Sequence, residues 1–177
     1  AGERLMNGKQ GRSILGFALV AVALACIPLI FPGPQAGDSL YTNLSWGLRF
    51  TEQLLAGEWY PRWLIGLNAG AGSPVFFYYA PLPFYVVAAA SLVCAGCSPV
   101  EQLGIAEVFI VLGSALSFAF YARRFAGPRS AALASVLYAL APYHFAMDVL
   151  RRQALGEACA YVAMPLALYF ADRLSGG

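Results

Sequence analysis

The apolar residues of this chain are gathered into five long stretches, at 14–31, 75–96, 103–121, 131–147 and 158–170, and most of the charge lies between them. The first stretch, as a helix rising about 1.5 Å per residue, reaches about 27 Å, enough to cross a hydrocarbon core. Composition closes off the soluble alternative. Apolar residues make up 60% of the 177 and charged residues only 11%, with a mean hydropathy of +0.65. A soluble core of this size could not bury so much apolar surface, so membrane lipid is the expected partner. Backbone groups in lipid must be satisfied within the segment, which favours helices. The fold class expected is all-α, a polytopic membrane helix bundle forming one module over 1–177. The net charge of +2 gives no nucleic-acid footprint.

Arg4, Lys9 and Arg12 precede the first stretch, which places the N-terminus in the cytoplasm by the positive-inside bias. The stretch is longer than a signal-peptide core, and Pro32-Gly33-Pro34 is a poor cleavage site, so it reads as an anchored span. An external loop over 33–74 follows. Within it, 39–56 reads as a juxtamembrane amphipathic helix. Leu40, Leu44, Leu48 and Leu55 share a face with Tyr41, opposite Thr42, Ser45, Arg49, Glu52 and Gln53. Asp38 or Ser39 can cap its start, and Gly57 suits its end. Such a helix lies along the interface, where Trp46, Trp59, Tyr60 and Trp63 fit headgroup depth. The glycine-rich stretch 66–74 lacks the Lys-Ser/Thr ending of a P-loop, so no nucleotide site is read there.

The segment 75–96 carries Pro81 and Pro83 and follows Pro74, which makes it irregular or re-entrant. Basic residues decide whether it crosses. If it does, six of the eleven fall outside, including Arg123, Arg124 and Arg129. If it does not, seven lie in the cytoplasm and four outside, as the bias requires. The second arrangement puts Asp38 and the segment from His144 to Glu157 on one external face.

That face holds the candidate site. Asp38 and Glu157 are the candidate catalytic carboxylates, able to deprotonate a hydroxyl or, for Asp38, to hold a divalent cation such as Mg or Mn. Arg62, Arg151 and Arg152 are candidate phosphate binders, because guanidinium offers a planar fork of donors. His144 and Asp148 are possible additional members. Each has a plainer reading beside it. Asp38 serves equally as a helix N-cap, the arginines as snorkelling side chains, and His144 as interfacial packing. Glu107 lies inside an apolar stretch, where ionisable groups default to function, but only a turn or two from its start, near the surface. Cys94 and Cys97 have CxxC spacing without a supporting pair and read as small packing residues. Asn43-Leu-Ser45 fits a glycosylation acceptor pattern.

The run GDSLYTNLSWGLRFTEQLLAGEWYPRWLIGLNAGAGSPVFFYYAPLPFY, at 37–85, resembles the first external loop of the GT-C superfamily of integral-membrane glycosyltransferases. The matching features are an acid after the first span, Asp38; a juxtamembrane helix to Ala56; the turn Gly57 to Trp63; and Gly72 to Pro74 with the aromatics that follow. The later stretch from Ser98 to Phe170 is similar to the poorly characterised bacterial branch of that group. The resemblance covers about residues 10–175. It implies transfer of a sugar from a polyprenyl-phosphate donor to an acceptor at the external face of a bacterial inner membrane. Asp38 would activate the acceptor or hold a metal. The family's second acid maps to Glu157, or less securely to Asp148, and the arginines would bind phosphate. Better-known members carry Asp-Glu where this chain has Asp38-Ser39. The family's greater length implies that this chain is the N-terminal portion of a longer protein. The competing expectation is a non-enzymatic membrane module, part of a transporter or a packing subunit, suggested by the broken segments and Glu107.

Overall fold

The structure, a computed structural model, describes residues 2–31, 33–34 and 36–175, with side chains from residue 11 onward. Arg4 and Lys9 therefore lie outside the described side chains. The described residues are all-helical. In chain order the elements are α1 (Gly2–Ala25), α2 (Ile27–Ile30), α3 (Leu40–Leu55), a 3-10 turn (Asn68–Gly70), α4 (Val75–Tyr78), α5 (Leu82–Val93), α6 (Pro99–Ala122), α7 (Pro128–Ala139), a π-helix (Pro142–Arg152) and α8 (Leu155–Leu174). Two helical runs are long and apolar enough to cross a membrane, Pro99–Ala122 and Pro128–Arg152; Gly11–Ala25 and Leu82–Val93 are shorter.

The bundle is built around α6. Its sequence start, Ser98-Pro99-Val100-Glu101, is a complete capping box: the Ser98 hydroxyl accepts from the Glu101 N–H, and the Glu101 carboxylate accepts from the Ser98 N–H at 2.7 Å. Residues all around α6 are buried, including Leu103, Ala106, Val108, Ile110, Val111 and Ala115. A helix apolar on every side belongs inside a bundle, and here α1, α3, α5, α7 and α8 surround it. Small residues set the approach distances. A Cβ on Gly104 would collide with the Leu29 carbonyl, whereas one on Gly113 would lie 3.5 Å from Val162, in ordinary contact.

Proline divides two of the expected spans. The first is interrupted at Cys26, because Pro28 has no N–H for the helix ladder. The stretch 131–147 is likewise not one helix: α7 stops at Ala139 and the chain resumes as a π-helix at Pro142. Inside α8, Pro165 cannot bond the Tyr161 carbonyl one turn earlier. The Tyr138 hydroxyl donates to that carbonyl instead, at 3.0 Å, so α7 repairs the gap that proline leaves in α8.

The helix α3 matches the expected 39–56 closely. Leu40, Asn43, Gly47 and Phe50 are buried against the bundle, whereas Tyr41, Leu48 and Leu55 are exposed. Gly47 sits at the contact: a Cβ there would lie 3.1 Å from Val87, so glycine lets α3 settle onto α5. The Phe50 and Trp46 rings then pack among Phe76, Tyr79, Phe84 and Tyr85. Ser39 occupies the N-cap, but its side chain makes no capping bond. The α5 helix has 12 residues, about 18 Å long. Its first residues, Leu82 and Val86, face the middle of α6 at Phe109 and Ile110, and its last turn leads directly into the start of α6.

Two cysteines depart from the sequence reading. Cys94 and Cys97 form a disulfide in the α5–α6 turn. The turn brings their Cα atoms to 5.4 Å, within bridging range. Gln102 closes the same turn, donating to the carbonyls of Cys94 and Cys97. Glu107 is also not near the surface: it is 2% exposed, and neither carboxyl oxygen has a partner among the described residues.

The two ends of the bundle differ in charge. Gly11 lies against Arg123 and Pro128, and Arg124 pairs with Asp172 at 2.6 Å. That end thus collects Arg12, Arg123, Arg124, Arg129 and Arg173. At the other end lie Asp38, the disulfide, Arg151, Arg152 and Glu157.

Candidate functional site

The loop after α2 and the end of the π-helix are fastened by backbone. The Asp38 N–H donates to the Arg151 carbonyl and the Ser39 N–H to the Arg152 carbonyl, each at 3.2 Å. Gly37 is required for this approach, since a Cβ would strike the Arg151 carbonyl. One turn into α3, the buried Asn43 amide donates to the Gln153 carbonyl at 2.7 Å. Gln153 itself sits in the left-handed region at φ 52°, which ends the π-helix and turns the chain into α8. Asn43 is therefore a docking residue, and its burial removes it as a glycosylation acceptor. The Asp38 side chain is exposed and makes no hydrogen bond or ion pair among the described residues.

Under this seam lies a polar cluster. Arg152 donates through Nη1 to Asp148 Oδ1 at 2.7 Å and to Glu157 Oε2 at 2.8 Å, and through Nη2 to Glu157 Oε1 at 2.8 Å. Asp148 is completely buried, and its other oxygen accepts from the Tyr161 hydroxyl at 3.2 Å. Glu157 stands at the rim with half of its side chain exposed. Its carboxyl is held below the ordinary value of 4.5 first by the hydrogen bonds from Arg152, against an opposing effect of burial; the arginine's charge adds a smaller lowering. The spacing explains the cluster: Asp148 precedes Arg152 by four residues on the π-helix, and Glu157 and Tyr161 lie four apart on one face of α8.

His144 is buried beneath the cluster. Its ring stacks on Tyr161 with centroids 3.9 Å apart, Nδ1 lies 3.3 Å from the Tyr138 carbonyl, and Nε2 has no partner among the described residues. An imidazole so enclosed is not open to a ligand arriving from outside. A π-helix is rare and is found most often where function needs displaced side chains. This one presents His144 and Asp148 inward and both arginines at its end.

The candidate residues thus separate into groups. Asp38, Asp148, Arg151, Arg152 and Glu157 are brought to one end of the bundle. Arg151 is exposed and carries no ion pair among the described residues. Arg152, expected as a free phosphate binder, has its donors engaged by two carboxylates. Arg62 is on the loop after α3, its guanidinium 4.8 Å over the Tyr60 ring and 5.8 Å from Phe77. Arg62 remains exposed, so its guanidinium is accessible to an anion from solution. Gln53 shapes this loop, donating to the Trp63 carbonyl and to Glu58 and accepting from the Ile65 N–H. Around it Trp59, Trp63, Phe77 and Tyr78 are exposed. For a divalent cation, Asp38 offers one free carboxylate. No group of three metal-ligating side chains occurs among the described residues, so phosphate oxygens and water would complete the shell. Tyr161 and Asn43 were not among the sequence candidates. The four-residue spacing from Glu157 was a usable signal for Tyr161; Asn43 meets Gln153 across 110 positions and gave none.

No family model, curated protein or solved structure matches this chain.

Proposed function

We propose that this chain belongs to a polytopic membrane glycosyltransferase of the GT-C type, acting on a polyprenyl-phosphate-linked donor at the external face of a bacterial inner membrane. The observation that carries the reading is the backbone seam between Asp38 and Arg151–Arg152. It brings an exposed carboxylate, unpaired among the described residues, beside arginines at one end of an apolar bundle. Such a pairing suits a substrate with a hydroxyl to be activated and a phosphate to be held. In this reading Asp38 removes the acceptor proton or supplies one ligand to a divalent cation. Arg151 binds phosphate, and the Arg152–Glu157 pair lies at the same end of the bundle; Arg62, on the separate loop after α3, is a second candidate cation for phosphate.

The arrangement in the membrane follows from charge and length. The arginine-rich end faces the cytoplasm, and the Asp38 end faces outward. Helix α5 is too short to cross about 30 Å of hydrocarbon and lies within the outer half.

The test is transfer from a panel of labelled polyprenyl-phosphate sugars by the full-length protein in membranes. Asp38→Asn keeps size and hydrogen bonding but loses the charge. It should lower turnover by at least ~100-fold if Asp38 is the base. Turnover close to wild type would remove the catalytic role. A non-enzymatic module, in a transporter or an assembly, is favoured by one observation: the buried Glu107, without a partner among the described residues, near the break in the first helix. It would show as absence of transfer from every donor.

A further inference from the structure

The Arg152 fork is filled in an asymmetric way. Its inner carboxylate, Asp148, is fully enclosed and held a second time by Tyr161. Its outer carboxylate, Glu157, is half exposed and lies across Nη1 and Nη2 with both distances at 2.8 Å. This two-oxygen contact is the geometry in which guanidinium also takes a phosphate. The two pairs differ in strength for a simple reason. An exposed pair is worth little because water competes for both partners, whereas breaking a buried one leaves a charge without solvent or partner. An anion arriving from outside would therefore displace Glu157 and leave Asp148 in place. Two further features favour an incoming anion at this spot. Arg151, the adjacent residue, is exposed and unpaired among the described residues, and the Arg152 side chain is 35% exposed.

We propose that Glu157 is a built-in stand-in for a substrate phosphate: a phosphate group takes its place on the Arg152 fork, and the released carboxylate becomes free at the rim near Asp38. The exchange gates the acidic site, so that Glu157 acts as a free carboxylate only when phosphate is bound. No covalent bond changes; one ion pair replaces another. The inference rests on the phosphate-binding part of the proposed function and not on sugar transfer. The phosphate can come from a lipid headgroup or from solution, and the two sources are separable.

The experiment uses the full chain in detergent micelles. Binding of phosphatidic acid, with phosphatidylcholine as control lipid, is read by native mass spectrometry, and binding of inorganic phosphate by calorimetry. Three proteins are compared: wild type, Glu157→Gln and Arg152→Lys. Lysine is chosen over alanine because it keeps a cation beside Asp148 while losing the fork. Glu157→Gln should bind phosphate roughly two- to five-fold more tightly than wild type, since an exposed ion pair no longer has to be broken. Arg152→Lys should bind several-fold more weakly than wild type. A response to phosphatidic acid alone assigns the site to a lipid phosphate; an equal response to inorganic phosphate assigns it to the phosphate group irrespective of a lipid tail. If Glu157→Gln binds no tighter than wild type while Arg152→Lys binds more weakly, the gate is rejected and the phosphate site stands. If Arg152→Lys binds like wild type, Arg152 is not the site and the inference fails. Exchange without sugar transfer from any donor would sink the enzymatic reading and leave this one intact.

Discussion

Glu157 lies at the rim of the polar cluster, outside the apolar stretches. Arg152 lowers its folded-state pKa below the ordinary 4.5. A lowered carboxyl contributes stability that is present above the unfolded value and is lost as pH falls through the folded one. The melting temperature of Glu157→Gln in detergent should therefore lie slightly below wild type near neutral pH. The gap should close as the pH drops below 4.5, because wild type then loses the same interaction. The effect is small because the carboxylate is half exposed. A gap that widens on acidification would mean that Glu157 is not stabilised by Arg152. At this scale the sequence was only partly legible. It offered Asp38, Asp148, Arg152 and Glu157 as a group but treated the arginines as free. Which acid Arg152 holds depends on how the π-helix and α8 are turned toward each other, and no residue pattern states that.

Elements were more legible than contacts, and the reason is physical. The amphipathic pattern and Gly57 located α3 to within a residue at each end, whereas α6 begins at Pro99, four residues before the apolar stretch, because the Ser98–Glu101 capping box starts it. What the pattern did not mark is which residues of α3 meet α5: that contact centres on a glycine, Gly47. Proline was visible at 28 and 142, but apolarity on both sides hid the breaks there. Close approach gives a direct test. In α6, Gly104→Ala and Gly113→Ala would each gain up to ~1 kcal/mol of helix propensity. At Gly104 that gain meets the Leu29 backbone carbonyl, which cannot rotate away, and overpacking of this kind costs ~1–3 kcal/mol. At Gly113 the methyl would meet Val162 at an ordinary distance. Thermal unfolding should therefore show Gly104→Ala destabilised and Gly113→Ala neutral or stabilised. Equal behaviour of the two would refute the close α2–α6 crossing.

For the whole molecule, the testable property is which end faces which compartment. A cysteine placed at Ala126, between α6 and α7, sits among Arg123, Arg124 and Arg129. On the proposed orientation it should resist a membrane-impermeant thiol reagent in intact cells and react once the membrane is opened. Ready labelling in intact cells would invert the arrangement. The all-helical character and the gathering of apolar residues into segments were plain from composition and spacing. The segregation of basic residues to one end was visible only after deciding whether 75–96 crosses, and that decision rested on a count of arginines and lysines.

The Cys94–Cys97 bridge lies at the end opposite those arginines. Thiols stay reduced in the cytoplasm and pair in the periplasm. If the Asp38 end is delivered outward, this turn begins life open and is sealed only on arrival. Its sulfur state is then a timestamp of biogenesis: a chain caught with both thiols free is one whose α5–α6 corner has not yet been handed across the bilayer.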